Sequence, residues 1–358
     1  MNELDKISLI IPFYNRLELL EETIISVQNQ TCSEWELILV DDCSSEDYAH
    51  LKDKYESTKI RFVKRLLEDA VKGAASSRNT GAKVAKYKLL MFLDSDDLIA
   101  PWCIEERRAA IKKNPTKDFY VFVGLEFDKE NDYHHRLRTI HDLENPLTSF
   151  LSFQSVWQTS CLVWKKSIFE KVGGWSEQAK SWQDGEIHVR LLLKSENYLW
   201  GNKTPDVFIR RHLDQNRISN NQSIEKRSNL YNTYINILKY FEPGKHKNMF
   251  KENMIFSLFD WTEDLERSKL DSYKNWVKSL SLNKNTKRKL INYINVSKTI
   301  KKSPLSYRMF LQIRKRLGIP AKKKPFWSIR PTLDESGHDQ LKRKAQKHQY
   351  ELPFKMKE

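Results

Sequence analysis

Cysteine is scarce in this chain. Cys32, Cys43, Cys103 and Cys161 are scattered through 358 residues, and no two form a Cys-x-x-Cys pair. That spacing argues against a zinc ribbon or a disulfide framework and fits a reducing cytosol. Long apolar runs are missing too: none approaches the ~18 residues that a membrane span needs. The first residues, Met1-Asn2-Glu3-Leu4-Asp5, are acidic rather than basic, so no secretory leader is expected. The turn Pro12-Phe13-Tyr14-Asn15 lacks the Gly-x-Gly-x-x-Gly of a dinucleotide site, and there is no Gly-x-x-x-x-Gly-Lys phosphate loop. A nucleotide bound here must be held by carboxylates and a metal instead. No internal repeat is present.

Charge is abundant but uneven. Residues 1–220 carry 31 Lys and Arg against 34 Asp and Glu, whereas residues 221–358 carry 31 against 13. Such asymmetry points to a basic module that meets an anionic surface, a phospholipid leaflet or a nucleic acid. No nucleic-acid motif accompanies it, so no nucleic-acid partner is expected.

The centre of the chain is Lys88-Leu89-Leu90-Met91-Phe92-Leu93-Asp94-Ser95-Asp96-Asp97. Its apolar run reads as a strand buried on both faces, as in a parallel sheet. Three carboxylates follow at the strand's carboxyl end, where open α/β sheets bind ligands. An Asp-x-Asp pair offers hard oxygen ligands suited to Mg²⁺ or Mn²⁺. The alternative is a cap for a helix starting near Pro101. An EF-hand loop is disfavoured because Ile99 stands where that loop needs glycine.

Upstream, Lys6 to Pro12, Trp35 to Asp42 and Ile60 to Val63 read as strands. Helical spacing over 17–29, a weak helix over 46–55 and a small-residue helix over 73–85 alternate with them. This β-α-β-α-β-α-β order predicts a parallel sheet with right-handed crossovers. Downstream, residues 102–113 read as a helix, 119–123 and 157–164 as strands, 165–175 as a short helix stopped by glycines, and 187–193 as a helix. Glu126 to Asn145, with His134, His135 and His141, reads as a solvent loop or hairpin rather than a zinc site.

These residues carry a resemblance. Ile10-Ile11-Pro12-Phe13-Tyr14-Asn15, Val40-Asp41-Asp42-Cys43-Ser44, Arg78-Asn79-Thr80-Gly81 and Leu93-Asp94-Ser95-Asp96-Asp97 occur in the order expected of a family 2 glycosyltransferase of the GT-A fold. The match covers roughly residues 6–215. It implies an α/β fold with a mixed, mainly parallel sheet flanked by helices, and inverting transfer of a sugar from a nucleotide-sugar, a UDP-sugar being favoured. It also implies roles. Pro12, Tyr14 and Asn15 would line the base and ribose, Asp41 would accept hydrogen bonds from the base, and Arg78 would meet the diphosphate. Asp94 and Ser95 would complete the donor site, with Asp94 on the ribose. Asp96 would bind Mn²⁺ or Mg²⁺, and His212 would complete the metal shell. Asp184 in Trp182-Gln183-Asp184-Gly185-Glu186 aligns with the family's acidic acceptor-side motif. Gln183 stands where the first acid is usual. Asp184 would be the general base, with Glu186 in reserve, while Trp175 and Trp182 would stack on acceptor sugars. Each residue also has a plainer reading: a turn or cap for Asp41, a surface position for Arg78, a helix cap for Asp184, core packing for the tryptophans.

The basic remainder divides by pattern. Residues 1–220 are expected to be the catalytic domain, 221–334 a helical basic region broken at Pro243-Gly244, and 335–358 a flexible tail. Leu305, Met309, Phe310, Ile313 and Leu317 share a face of a basic amphipathic helix, suited either to a membrane surface or to packing. The Gln-x-x-Arg-Trp sequence and membrane spans of processive polysaccharide synthases are absent. The expectation is a metal-dependent transferase, cytoplasmic and peripheral to the inner face of the plasma membrane. It would act on a hydroxyl of a glycan or lipid-linked acceptor in surface polysaccharide synthesis. The rivals are a sugar nucleotidyltransferase, which would need a glycine-rich phosphate loop, and a binding protein acting through its basic half.

Overall fold

The structure, a computed structural model, describes residues 6–65, 72–128, 136–211, 223–263, 270–300 and 331–354. It opens with β1 (Ile7–Phe13), α1 (Leu17–Gln28), β2 (Trp35–Asp41), α2 (Ala49–Tyr55), β3 (Ile60–Lys64), α3 (Ala74–Val84) and β4 (Leu89–Phe92). Strands β1, β2 and β4 are buried along their whole length, as their unbroken apolar runs require. Helix α3 is rich in small residues because it lies hard against β1. A Cβ added to Gly81 would come within 2.4 Å of the Ile10 side chain.

The chain continues through β5 (Leu98–Ile99), α4 (Cys103–Lys113), β6 (Phe119–Val121), β7 (Gly124–Phe127), α5 (Pro146–Leu151), β8 (Leu162–Lys165), α6 (Lys166–Lys171), α7 (Gln183–Lys194), β9 (Tyr198–Trp200) and β10 (Val207–Arg210). The main sheet has the order β3-β2-β1-β4-β8-β6-β9, and β5-β10-β7 form a smaller one. Strands β1 to β4 pair in parallel, while β8 runs antiparallel to both neighbours. The predicted strand over 157–164 is in fact a 3₁₀ turn, Thr159–Cys161, followed by β8. The predicted strand over 119–123 ends at Val121, and the chain resumes as β7 in the second sheet, inside a stretch expected to be irregular.

Four further helices follow: α8 (Ile224–Ile237), α9 (Lys245–Glu263), α10 (Leu270–Ser279) and α11 (Lys284–Ile300). Their buried faces, including Tyr234, Phe250, Tyr273 and Tyr293, belong to the same apolar cluster as the main sheet. Asn253 Nδ2 donates to the Leu151 carbonyl at 3.1 Å, tying α9 to α5. The division expected near residue 220 is therefore not a division of the core. The expected amphipathic helix over 305–317 and His212 lie outside the described residues.

The stretch expected to be a flexible tail contains α12 (Glu335–Lys347). Asp334 caps it by accepting from Gly337 N at 2.7 Å. Its Leu341 and Ala345 are buried with Trp102, Leu125 and Phe208 against the small sheet. Residues polar in sequence order can still form an amphipathic helix, which is why composition alone misread this segment.

The polar anchor of the fold is Arg107 on α4, fully buried. Its Nε and Nη2 donate to both Asp206 oxygens at 2.8 and 2.7 Å, and its Nη1 donates to the Ser160 carbonyl at 3.0 Å. The paired Asp206 holds the guanidinium's pKa above its ordinary value against the opposing effect of burial. Arg107→Met leaves Asp206 buried without its partner and is expected to cost about 3–5 kcal/mol in urea unfolding. A loss below ~1 kcal/mol would show that water replaces the pair. Leu341→Ala is expected to cost about 2–5 kcal/mol; a tail without packing would leave the unfolding midpoint unchanged.

Candidate active site

The carboxyl ends of the parallel strands open into a cleft of about 810 Å³. Its floor is set by turns that the strands cannot continue. After β1 the backbone is left-handed at both Asn15 (φ 53) and Arg16 (φ 57), which turns the chain sharply into α1. Asn15 staples this turn to the loop after β2. Its Oδ1 accepts from Ser45 N at 2.9 Å and Glu46 N at 3.2 Å, and its own N–H donates to Ser44 Oγ at 2.9 Å. Pro12 is held within β1 opposite Val40, and Tyr14 is exposed with Lys72 lying over its ring at 3.9 Å.

Asp41 is buried at the end of β2 and accepts from Ser44 N at 2.8 Å. It also bonds the Tyr48 hydroxyl, whose pKa is raised by burial and then by that carboxylate. Tyr48 stacks on Phe62 and meets Phe13 edge-on. Asp42 holds the next loop, accepting from Arg65 Nε at 2.9 Å and Gly73 N at 3.0 Å. Asp41 thus has a turn-holding role in this structure, and the surface beside it is aromatic.

The acidic loop after β4 is fixed from below. Asp97 is buried, accepting from Arg210 N at 3.0 Å and Ser160 Oγ at 3.2 Å. Burial raises its pKa, and the charges of Asp96 and Asp94 raise it further. Arg210 also donates to the Asp96 carbonyl at 2.8 Å and to Glu22 at 2.6 Å. Asp94, Ser95 and Asp96 are left partly exposed. Asp94 accepts from Arg78 at 2.6 Å, and Asp96 stands 3.7 Å from Arg16. Among the described residues no group of three or more His, Cys, Asp and Glu is placed to hold a metal. A Mg²⁺ or Mn²⁺ held by one or two carboxylates and substrate phosphates needs no such group. Asp96 fits that scheme.

Arg78 is buried and lies over the Trp175 ring at 4.5 Å. Trp175 is itself 2 % exposed and meets Phe92 edge-on, so it supports the guanidinium and has no face to offer an acceptor. Trp182 does line the cleft. Its backbone is left-handed (φ 55), and its ring lies over Gly185 so closely that a Cβ there would fall within 1.9 Å of the indole. Asp184 follows in the first turn of α7, on the cleft wall. Burial raises its pKa. The nearby Arg78 opposes this and Asp94 adds to it. Glu186 points elsewhere: Arg190 grips it with bonds of 2.7 and 2.6 Å and also donates to the Val172 and Gly174 carbonyls. Its reserve role as base has no place in this geometry.

The cleft also includes residues that the motifs did not reveal. Arg16 and Lys72 line the side at the strand ends, and Phe153, Lys180, Lys226, Leu230 and Tyr234 line the other. Arg210 could have been noticed as a cation closing an apolar strand. Phe153 and the α8 residues carry no local signal, because only the packing of distant segments brings them here.

Residues 8–172 match the model of the family described as Glycosyl transferase family 2. An uncharacterized glycosyltransferase of Haemophilus influenzae is 30% identical over 187 residues, covering 52% of this chain and 62% of that protein. The UDP-Glc:alpha-D-GlcNAc-diphosphoundecaprenol beta-1,3-glucosyltransferase WfgD of Escherichia coli is 34% identical over 114 residues, 32% of this chain and 44% of WfgD. The chain thus spans less than two thirds of either relative. The crystal structure of S. aureus TarS 1–349 in complex with UDP-GlcNAc superposes with a TM-score of 0.61 at 17% identity, over 88% of this chain and 93% of that one. That likeness shows a shared GT-A fold. Residues 8–172 are thus similar to glycosyl transferase family 2.

Proposed function

We propose that this protein transfers a sugar, with inversion, from a nucleotide diphosphate sugar to a hydroxyl of a cell-surface glycan or its lipid-linked precursor. The observation that carries this reading is one cleft lined by the Arg78–Asp94 pair and by Asp184 at the head of α7. An inverting transfer is a single displacement. The acceptor oxygen bonds to the anomeric carbon as the bond to the diphosphate breaks, and the hydroxyl proton passes to a base. Asp184 is that base, and the helix N-terminus favours its ionised form. Arg78 receives the diphosphate, with Arg16 and Lys72 nearby. Asp41, Pro12, Tyr14 and Asn15 shape the base and ribose pocket. Asp94 would meet the ribose, and Asp96 would hold a divalent cation, which would stabilise charge on the leaving diphosphate.

A UDP-sugar is favoured, since the names of WfgD and of the TarS complex print UDP donors. The name of WfgD also prints a diphosphoundecaprenol acceptor. A membrane-borne acceptor accords with the basic C-terminal half of the sequence. No helix among the described residues is long and apolar enough to cross a membrane.

A thermal-shift series with UDP, GDP, CDP and TDP, each with and without Mn²⁺, tests the donor site. UDP with Mn²⁺ is expected to raise the melting temperature, and Asp96→Ala to abolish the metal-dependent part. No shift with any of the four nucleotides would overturn the reading. Asp184→Asn is expected to keep UDP affinity and to lower turnover by more than ~100-fold. The base works ionised, and its pKa is raised, so a given pH leaves more of it protonated. The acid limb of kcat against pH should therefore lie above the ordinary aspartate value of ~3.9, activity rising as pH increases through it. Turnover insensitive to Asp184→Asn would remove the residue from the base role.

A further inference from the structure

A carboxylate serves best as a base when one oxygen is held and the other faces the proton it takes. Helix α7 does not itself hold Asp184, since its Arg190 bonds Glu186 and the carbonyls of Val172 and Gly174. Thr159 is placed to do so. It opens the 3₁₀ turn Thr159–Cys161 and is 1 % exposed. Its Oγ1 is buried and has no fully formed hydrogen bond. The group beside it is the Asp184 carboxyl, towards which the hydroxyl acts as a donor. The two are close but not aligned, as catalytic hydrogen bonds often are until a substrate tightens them.

Nothing in the local packing uses that hydroxyl. The turn is fixed by its neighbours: Ser160 Oγ donates to Asp97 at 3.2 Å, the Ser160 carbonyl accepts from Arg107 at 3.0 Å, and Cys161 N donates to the Gln158 carbonyl at 3.0 Å. Thr159 contributes its carbonyl, which accepts from Leu162 N. A buried hydroxyl without a bond is destabilising, and an ionised carboxylate is the acceptor that best relieves it. The charged groups around Asp184 do not replace this contact. Arg78 favours the ionised form, but it bonds Asp94 at 2.6 Å, and Asp94 opposes it. Arg138 also favours that form and is paired with Glu126 at 3.1 Å. Arg16, Lys72, Glu177, Lys180 and Lys226 complete the charges lining the cleft, and α5, packed on α7, brings none. Charge alone fixes no side-chain rotation, whereas a hydrogen bond to one oxygen does.

We propose that Thr159 positions the base: its hydroxyl donates to one oxygen of Asp184 and leaves the other for the acceptor's proton. This rests on reading Asp184 as the base of a glycosyl transfer. The bond is stronger to the ionised carboxylate than to the protonated one. It therefore opposes burial, which raises the Asp184 pKa. Through Ser160, the buried contacts that hold the acidic loop also hold the support of the base.

The test is carbon-detected NMR of the full chain labelled at its aspartate carboxyls, the Asp184 signal being identified by its loss in Asp184→Asn. Thr159→Val keeps the shape and removes the donor, while Thr159→Ser keeps the donor. Thr159→Val is expected to raise the Asp184 pKa by about half a unit or more, and Thr159→Ser to leave it near its starting value. The second readout is hydrolysis of UDP-glucose and UDP-GlcNAc with Mn²⁺, in which water takes the acceptor's place. There Thr159→Val should lower kcat by about 10-fold, move its acid limb to higher pH and leave KM within about twofold. Where neither sugar is turned over, the NMR shift decides alone. Thr159→Ala serves if the valine variant does not fold. An unmoved Asp184 pKa in either variant, with a normal melting temperature, overturns the proposal and leaves the transferase reading intact. A serine variant as impaired as the valine one does the same, because the methyl group and not the hydroxyl then matters. Failure of UDP to bind, or turnover indifferent to Asp184→Asn, removes both readings together.

Discussion

A single buried guanidinium ties together the parts of this molecule that must not move. Arg107 joins α4, the segment entering β10 and the 3₁₀ turn ahead of β8 by charge-assisted bonds to Asp206 and a bond to the Ser160 carbonyl. None of these groups can exchange its partner for water without opening the core. The same segments then supply Ser160 and Arg210 to Asp97, and Arg210 to the Asp96 carbonyl. The acidic loop is thus held by its backbone and by its innermost carboxylate. Its outer carboxylates, Asp94 and Asp96, need not organise themselves when a substrate arrives, which is the condition for electrostatic preorganisation.

The same economy governs the opposite wall. Trp182 occupies a strained backbone position, and Gly185 has no side chain because the indole takes that space. Glu186, two residues past Asp184, is bound to Arg190, which also holds the carbonyls of Val172 and Gly174. The head of α7 is therefore clamped to the turn that carries Trp175, and Trp175 supports Arg78. Asp184 and Arg78 are linked by a short chain of contacts through protein already packed.

How much of this was legible in the sequence depends on the range of the interactions. The parallel strands announced themselves as apolar runs ending in Asp41 and Asp94, and the cleft does lie at their carboxyl ends. The place of Asp184 on the cleft wall was legible because its motif is local. Glu186 and Trp175 looked equivalent to their neighbours in sequence, but a two-residue step around a helix and a buried ring turned them away from the cleft. Strands β7 and β9 were missed because three or four residues carry too little periodicity. The tail was misread because the partners of Leu341 and Ala345, on β7 and β10, lie more than a hundred residues upstream. Phe153 and Lys226 gain their meaning only from packing between segments far apart in the chain.

The stripe of α8 in the cleft has an evolutionary consequence. The strand-end wall of the cleft belongs to the first two hundred residues, where the backbone is tied by buried ion pairs. The far wall rests on one helical face from a separate stretch of chain, joined by side-chain packing. Substitutions every fourth residue along that helix can reshape one wall of the cleft while the strand-end wall stays untouched. A lineage built this way can vary what its cleft admits by editing a few positions.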